Sequence, residues 1–296
     1  MYIIQTAKLT KYYGKVRGIE SLSLNIRPGE IFGFLGPNGA GKTTTIRILI
    51  DLIRPTCGHA RIFGLDVQKH SVEIRKRIGN LPGDVSLYEH MTGDEFLNLM
   101  SSLHNNHSAR RKRILAKRLD IDLSRRIKTY SKGMKQKVAI IQALMNDPEL
   151  LILDEPTSGL DPLVQREFYN LLKNEQDRGK TVFFSSHILP EVERVCDRVG
   201  LLRNGILINV ESIDDLKSKR VRKLELILKE AVAPERLHLP GVELTRIEGK
   251  HVEFIVHGHI GELIPKLSNL PLEDVVFPEA TLEDTFMKFY SEEEEA

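Results

Sequence analysis

At 296 residues, with 41% hydrophobic and 28% charged side chains, the chain is long enough for one large domain plus a small one, and its composition excludes a collagen-like, disordered or mini-protein class. A formal net charge of +2 gives no argument for a dedicated nucleic-acid binder. Two cysteines, Cys57 and Cys196, far apart and in no metal-ligand spacing, exclude a disulfide scaffold or structural zinc site.

The N-terminal residues MYIIQTAKLTKYYG lack a basic head before an apolar core, and no run approaches the roughly 18 apolar residues of a membrane span. A cytosolic compartment is expected, with any membrane part borrowed from a partner. YIIQTAKL and SLSLNI read as short strands around a turn at Tyr13-Gly14. After the turn Pro28-Gly29, IFGFLG is apolar enough to be a strand buried on both faces, and from Lys42 a helical pattern runs until just before Pro55. HARIFG and RIGNLPG are strand-like. Residues 94–145 then look mainly helical, and the Lys and Arg crowded into Ser108–Lys128 read as the solvated face of a helical insertion.

LLILDEP is an apolar strand ending in two acids, PLVQREFYNLLKNEQ a helix with Pro162 at its start, and TVFFSSH a strand ending in a polar cluster. Buried strands alternating with helices predict an α/β fold with a mostly parallel sheet covered on both sides. A hairpin at Asn204-Gly205 closes this unit. Beyond about residue 215, LELILKE, HVEFIVHG, the helical IGELIPKLSNL and EDTFMKFY suggest a separate α+β domain, followed by the tail SEEEEA.

Between IFGFL and the helix, GPNGAGKTT at 36–44 satisfies Gly-x-x-x-x-Gly-Lys-[ST] through Gly36, Gly41, Lys42 and Thr43. Glycines let successive N–H groups curl around an anion, the helix N-terminus adds partial positive charge, and Lys42 has the reach for β and γ phosphates. Thr43 offers a hydroxyl to Mg²⁺. The rest of the stretch, Pro37, Asn38, Gly39, Ala40 and Thr44, lines the same expected nucleotide site. These letters also describe a plain glycine-rich turn; the strand before and the helix after favour the cradle.

A nucleotide site of this kind needs a carboxylate at a neighbouring strand end to hold Mg²⁺. Asp154 is placed for that, and Glu155, one residue on, for polarising an attacking water, although two acids before a proline also suit a turn. His187 ends TVFFSSH in the same topological position, which suits γ-phosphate sensing. Three strand ends thus deliver a phosphate binder, an acid and an imidazole to one sheet edge.

At this point the chain resembles an ATP-binding cassette subunit of ABC transporters, over about residues 3–212. The resemblance also covers YSKGM at 130–134, like the family's signature loop, and SGLD at 158–161, like its D-loop. It implies a P-loop NTPase core at 1–215 with a helical subdomain at about 84–145, and an accessory domain at 216–296. It further implies a homodimer, or a heterodimer with a related subunit, in which Ser131 and Gly133, flanked by Lys132 and Met134, reach the γ-phosphate held by the other copy. By the same resemblance Asp161 lies at the dimer seam, Glu155 is the general base, His187 the switch histidine, and Tyr13 the aromatic stacked on adenine. A Tyr beside Gly14 is equally a hairpin residue.

Two departures stand out. Tyr130, Lys132 and Met134 occupy variable signature places in a form similar to ABC-2 type exporters, and Gly83 stands where the family's Q-loop glutamine contacts Mg²⁺. Asp84 or an extra water is the expected substitute. The resemblance therefore implies an ATP-hydrolysing subunit using ATP and Mg²⁺, docked on an ABC-2 type permease at the cytoplasmic face of the membrane. A soluble cassette ATPase acting on ribosomes or DNA, and a non-catalytic binding module, are the alternatives.

Overall fold

The computed structural model describes residues 2–103, 109–218, 222–232, 237, 241–256, 260–268 and 270–277. Two compact units divide the chain, Met1–Ile213 and Asp214–Ala296. The segment EDTFMKFY and the acidic tail lie outside the described residues.

In the first unit, β1 (Ile4–Tyr13), β2 (Val16–Ile26), β4 (Cys57–Ile62) and β5 (Leu65–Asp66) form an antiparallel sheet in the order β2-β1-β4-β5. A second sheet holds β3 (Ile31–Leu35), β6 (Ile78–Leu81), β7 (Leu150–Asp154), β8 (Thr181–Ser186), β9 (Arg198–Arg203) and β10 (Ile206–Ser212). Its order is β10-β9-β3-β8-β7-β6, parallel throughout except for the edge strand β10. β10 turns back from β9 through Asn204 and Gly205, both at positive φ as a tight hairpin requires. Every residue of β3, β7 and β8 is buried, which is why these strands read as apolar runs rather than as alternations.

One hydrophobic cluster joins the two sheets. It takes Ile4, Leu9 and Ile62 from the antiparallel sheet, Phe32, Phe34, Ile152 and Phe183 from the parallel one, and Ile46, Ile48 and Leu49 from α1 (Lys42–Leu49). The opposite face of the parallel sheet is covered by α6 (Pro162–Asp177) and α7 (Leu189–Val195). Phe32 and Phe34 point into the cluster, so Gly33 faces α7, where an added Cβ would stand 2.6 Å from Val192 Cγ1 and 2.9 Å from Cys196 Sγ. Only glycine lets that helix seat directly on β3. Two short helices, α2 (Ser71–Lys76) and α7, have six and seven residues, too few for a helical period to be legible.

The helical stretch expected at 94–145 resolves into α3 (Gly93–Ser102), α4 (Ala109–Arg118) and α5 (Lys132–Met145). Residues 119–131 are not helical, apart from a 3₁₀ turn at Ile127–Thr129. Asp120 takes φ 48°, and the Tyr130 hydroxyl donates to the Asp122 carbonyl at 2.7 Å, fastening this interval as a loop. α3 starts in a capping box: the Thr92 side chain accepts from the Glu95 N–H and the Glu95 carboxylate from the Thr92 N–H.

The basic stretch is only partly a solvated face. Lys112 is buried and donates to Asp94 and Asn98 of α3. Arg111 pairs with the buried Glu175 at 2.7 Å and Arg118 with Glu167 at 2.5 Å, tying α4 to α6. The long aliphatic stems let these residues cover apolar surface while their heads find carboxylates, which charge counting along the sequence does not reveal.

The second unit opens with α8, a helix at Ile213–Ser218 that straddles the division between the units. Its antiparallel sheet has the order β12-β13-β11-β14, from β11 (Arg222–Leu228), β12 (Val242–Glu248), β13 (His251–Val256) and β14 (Leu272–Val276). Leu224, Leu226, Val252 and Phe254 pack with Leu263 and Leu267 of α9 (Ile260–Leu267) in a separate core. β12 and β14 are mostly exposed, their apolar Leu244, Ile247, Val275 and Val276 included, so no alternation of buried and exposed residues marks them.

Candidate active site

Three neighbouring parallel strands, β3, β8 and β7, end at the same edge of the sheet and deliver the candidate residues. After β3 the chain forms the loop 36–41, closed by the Ala40 N–H donating to the Pro37 carbonyl at 3.1 Å. Gly39 has φ 82° with nothing within 4 Å of a would-be Cβ, an open concave side to the loop. Gly41 has φ 108°, and a Cβ there would come within 2.5 Å of the Gly18 carbonyl oxygen. Both glycines are therefore demanded by backbone shape, one for conformation and one for space as well.

Lys42, buried at the start of α1, turns its ammonium back over this loop. It donates to the Gly36 and Pro37 carbonyls at 2.6 and 3.1 Å and stands 3.1 Å from Glu155 Oε1. Thr43 Oγ1 donates to Asp154 Oδ2 at 2.7 Å, and Ser185 Oγ donates to Asp154 Oδ1 at 2.6 Å. Asp154 is 2% exposed and, among the described residues, forms no ion pair. A buried carboxylate satisfied only by neutral hydroxyls is under-compensated, and hard oxygen donors of this kind fit a small divalent cation such as Mg²⁺.

Glu155 sits at φ 47°, in the left-handed region, an arrangement for a non-glycine residue that points to a special placement. Its N–H is fixed by the Ser185 carbonyl at 3.2 Å and the Ser185 hydroxyl at 3.1 Å. Its Oε2 lies 2.7 Å from His187 Nδ1. Lys42, Glu155 and His187 thus form one continuous chain of polar contacts beside the Thr43–Asp154 pair. Ser185 was not among the expected residues; the only signal for it is a pair of hydroxyl residues closing an apolar strand.

Gly83 also belongs here. A Cβ on it would stand 3.2 Å from Asp154 Oδ2, the oxygen that accepts from Thr43. The chain passes so close over the carboxylate that a side chain would crowd it. Asp84, the expected substitute, is exposed and makes no hydrogen bond or ion pair among the described residues.

Tyr13 is the last residue of β1, so the hairpin reading holds. Its hydroxyl is also 3.4 Å from Thr44 Oγ1, and its ring lies against Gly18, where a Cβ would be 2.9 Å from Cε2. The ring therefore stands half-exposed beside the loop-to-helix junction.

Ser131, Lys132, Gly133 and Met134 form the first turn of α5, with Ser131 Oγ capping the Met134 N–H at 3.2 Å. They meet the D-loop-like segment rather than the phosphate-type loop: a Cβ on Gly133 would lie 2.7 Å from the Gly159 carbonyl. Among the described residues, no hydrogen bond or ion pair joins these four to residues 36–44. Asp161 caps α6, accepting from the Val164 N–H at 3.0 Å, and leaves Leu163 80% exposed beside it.

The family model described as ABC transporter matches residues 19–158. The chain is 37% identical over 299 residues to the bacitracin transport ATP-binding protein BcrA of Bacillus licheniformis, covering 97% of this chain and 96% of that one. Among solved structures, an ATP binding subunit of an ABC transporter is similar at 31% identity and TM-score 0.68, over 73% of this chain and 92% of that one. The dimeric post-hydrolysis state of the ATP-binding cassette MJ0796 bound to ADP and Pi is similar at 25% identity and TM-score 0.65, over 71% and 98%.

Proposed function

The chain belongs to the ABC transporter family as an ATP-binding subunit, and from that premise we propose that it hydrolyses ATP at the β3, β7 and β8 ends to drive export through a separate ABC-2 type permease. The observation that carries the reading is Glu155, held by backbone at positive φ with one oxygen at Lys42 and the other at His187.

Each residue then has a task its geometry suits. The loop 36–41 and α1 present N–H groups to the phosphates, and Lys42 adds the charge that their oxygens need. Thr43 and Asp154 would hold Mg²⁺, which supplies neutralisation of phosphate charge. Glu155 accepts the proton of the attacking water, and His187, hydrogen-bonded to it, keeps that carboxylate oriented while its imidazole faces the exposed side. Tyr13 offers a ring to adenine at the junction with Thr44.

Ser131 and Gly133 lie with the Gly159 segment of their own copy, so we assign them to an ATP held by a second copy, with Asp161 and the exposed Leu163 at the seam. The dimeric state of the similar cassette supports this reading. For the permease, the relevant surface is a groove of about 430 Å³ between the parallel sheet and the helical insertion. Ile50, Leu52, Tyr88, Phe96 and Met100 give it apolar walls suited to a short amphipathic helix from a cytoplasmic loop. Among the described residues no helix is long and apolar enough to cross a membrane; in this reading the chain attaches to the cytoplasmic face through that partner. The relative matched over nearly its whole length is a transport protein, which disfavours a ribosome- or DNA-directed role.

The test is ATP turnover by the purified chain, alone and co-purified with its permease, with Mg²⁺ present. Phosphate release that rises with the permease supports the proposal; no nucleotide retention and no release in either setting overturns it.

A further inference from the structure

Glu191, in the first turn of α7, is 7% exposed and carries no ion pair among the described residues. Its Oε1 accepts from Thr157 Oγ1 at 2.7 Å and its Oε2 from Ser186 Oγ at 2.8 Å, both donors themselves buried. Thr157 lies two residues after Glu155, and Ser186 immediately precedes His187. The Ser186 carbonyl in turn accepts from the Gly36 N–H at 3.2 Å, and its hydroxyl accepts from the Ile188 N–H at 2.9 Å. Burial and the neighbouring Glu191 carboxylate raise the Tyr169 hydroxyl above its ordinary range, so a third O–H stays protonated beside this acid.

One buried carboxylate therefore bridges the segment carrying Glu155 and the segment carrying His187, with the phosphate-binding loop one hydrogen bond further on. A role limited to anchoring α7 would need only contacts to the adjacent β8; the bond to Thr157, 34 residues away, crosses to the other loop. We infer that Glu191 is a positioning residue for hydrolysis, setting the Glu155–His187 distance by bonding Thr157 and Ser186. This rests on the hydrolytic reading above. Glu191 touches no reacting atom, and its effect passes through the two hydroxyls.

The experiment compares steady-state kinetics of the full-length chain and its Glu191→Ala, Glu191→Gln and Thr157→Val variants, with ATP binding and thermal unfolding measured alongside. Displacement of a base by a fraction of an ångström to an ångström lowers kcat by about 10- to 100-fold. Glu191→Ala is expected to show that loss with KM changed less than about threefold. Glu191→Gln, whose amide both accepts and donates toward hydroxyls, should return kcat to within about threefold of wild type.

Thr157→Val, nearly isosteric, cuts only the Glu155 arm and decides the matter if Glu191→Ala does not fold. Thr157→Val should lower kcat, and adding Glu191→Ala to it should cost no more than Glu191→Ala alone. Unchanged kcat in folded Glu191→Ala or Thr157→Val, a loss confined to KM, or a Gln variant as slow as the Ala one would overturn the inference. A wild-type chain that hydrolyses nothing would instead overturn the assigned function.

Discussion

His187 Nδ1 and Glu155 Oε2 are 2.7 Å apart, while the other oxygen of the same carboxylate is 3.1 Å from Lys42. The proposed base is thus held between an imidazole and an ammonium. Replacing either neighbour alters the base as well. Glu155→Gln keeps the shape and removes the proton acceptor, so phosphate release should fall by about 100- to 10,000-fold with ATP still retained. Single-turnover hydrolysis and nucleotide retention on the same sample check this; turnover within tenfold of wild type would remove Glu155 from the role.

Glu155 is positioned by its backbone at φ 47°. In a left-handed conformation an L residue costs about 1–2 kcal/mol that glycine does not. Glu155→Gly and Glu155→Ala should both be inactive, yet the Gly variant should be the more stable by about 1 kcal/mol in denaturant unfolding. Equal stabilities would mean that the backbone relaxes there without strain.

Gly83→Ala places a methyl 3.2 Å from Asp154 Oδ2 and 3.4 Å from its Cγ. The carboxylate must yield, and the Mg²⁺ concentration giving half-maximal nucleotide binding should rise several-fold. Asp84→Ala should leave that concentration unchanged, since Asp84 is exposed and unengaged among the described residues. Titration of Mg²⁺ against fluorescent-nucleotide binding separates the two without reference to turnover.

Gly41→Ala combines a φ of 108° with a Cβ 2.5 Å from the Gly18 carbonyl oxygen. Neither backbone can give way without moving β2 or α1. A loss of stability of about 2–4 kcal/mol is expected, together with loss of nucleotide binding. Urea unfolding measures the first and equilibrium dialysis with ATP the second.

Arg77 grips Glu149 through two hydrogen bonds of 2.7 and 2.8 Å and stacks 3.7 Å over the Phe63 ring. Those hydrogen bonds hold the Glu149 carboxyl below its ordinary range. The stabilisation is fully present above the unfolded value of about 4.3 and is lost as pH falls through the depressed native value. Because Glu149 is half-exposed, Glu149→Gln should cost only about 0.5–1 kcal/mol at pH 7. Thermal melts of the two proteins should converge once the pH has fallen below the depressed native value.

Local signals made the loop 36–44, the acids at 154 and 155 and His187 legible, because each closes an apolar run whose burial is written in its own residues. Ser185 and Glu191 were not legible. Asp154 lies 31 residues from Ser185 and Thr157 lies 34 from Glu191, and nothing nearby in the chain marks either pairing. The crowding of Gly83 against Asp154 is equally invisible from spacing, since it depends on how β6 is placed beside β7. Charge misled the reading of α4, where Arg111 and Lys112 serve packing. β12 and β14 escaped because their exposure leaves no alternation to find.

The two ion pairs between α4 and α6 join residue 111 to 175 and 118 to 167, so the helices run in opposite directions with fastenings two turns apart. Two separated attachment points resist rotation of one rod about the other, which a single contact permits. α6 begins at Pro162, behind its capping Asp161, which lies six residues beyond Glu155. Any tilt imposed on the insertion from outside is thereby handed to the root of α6, a short way along the chain from the base, as torque rather than as slack.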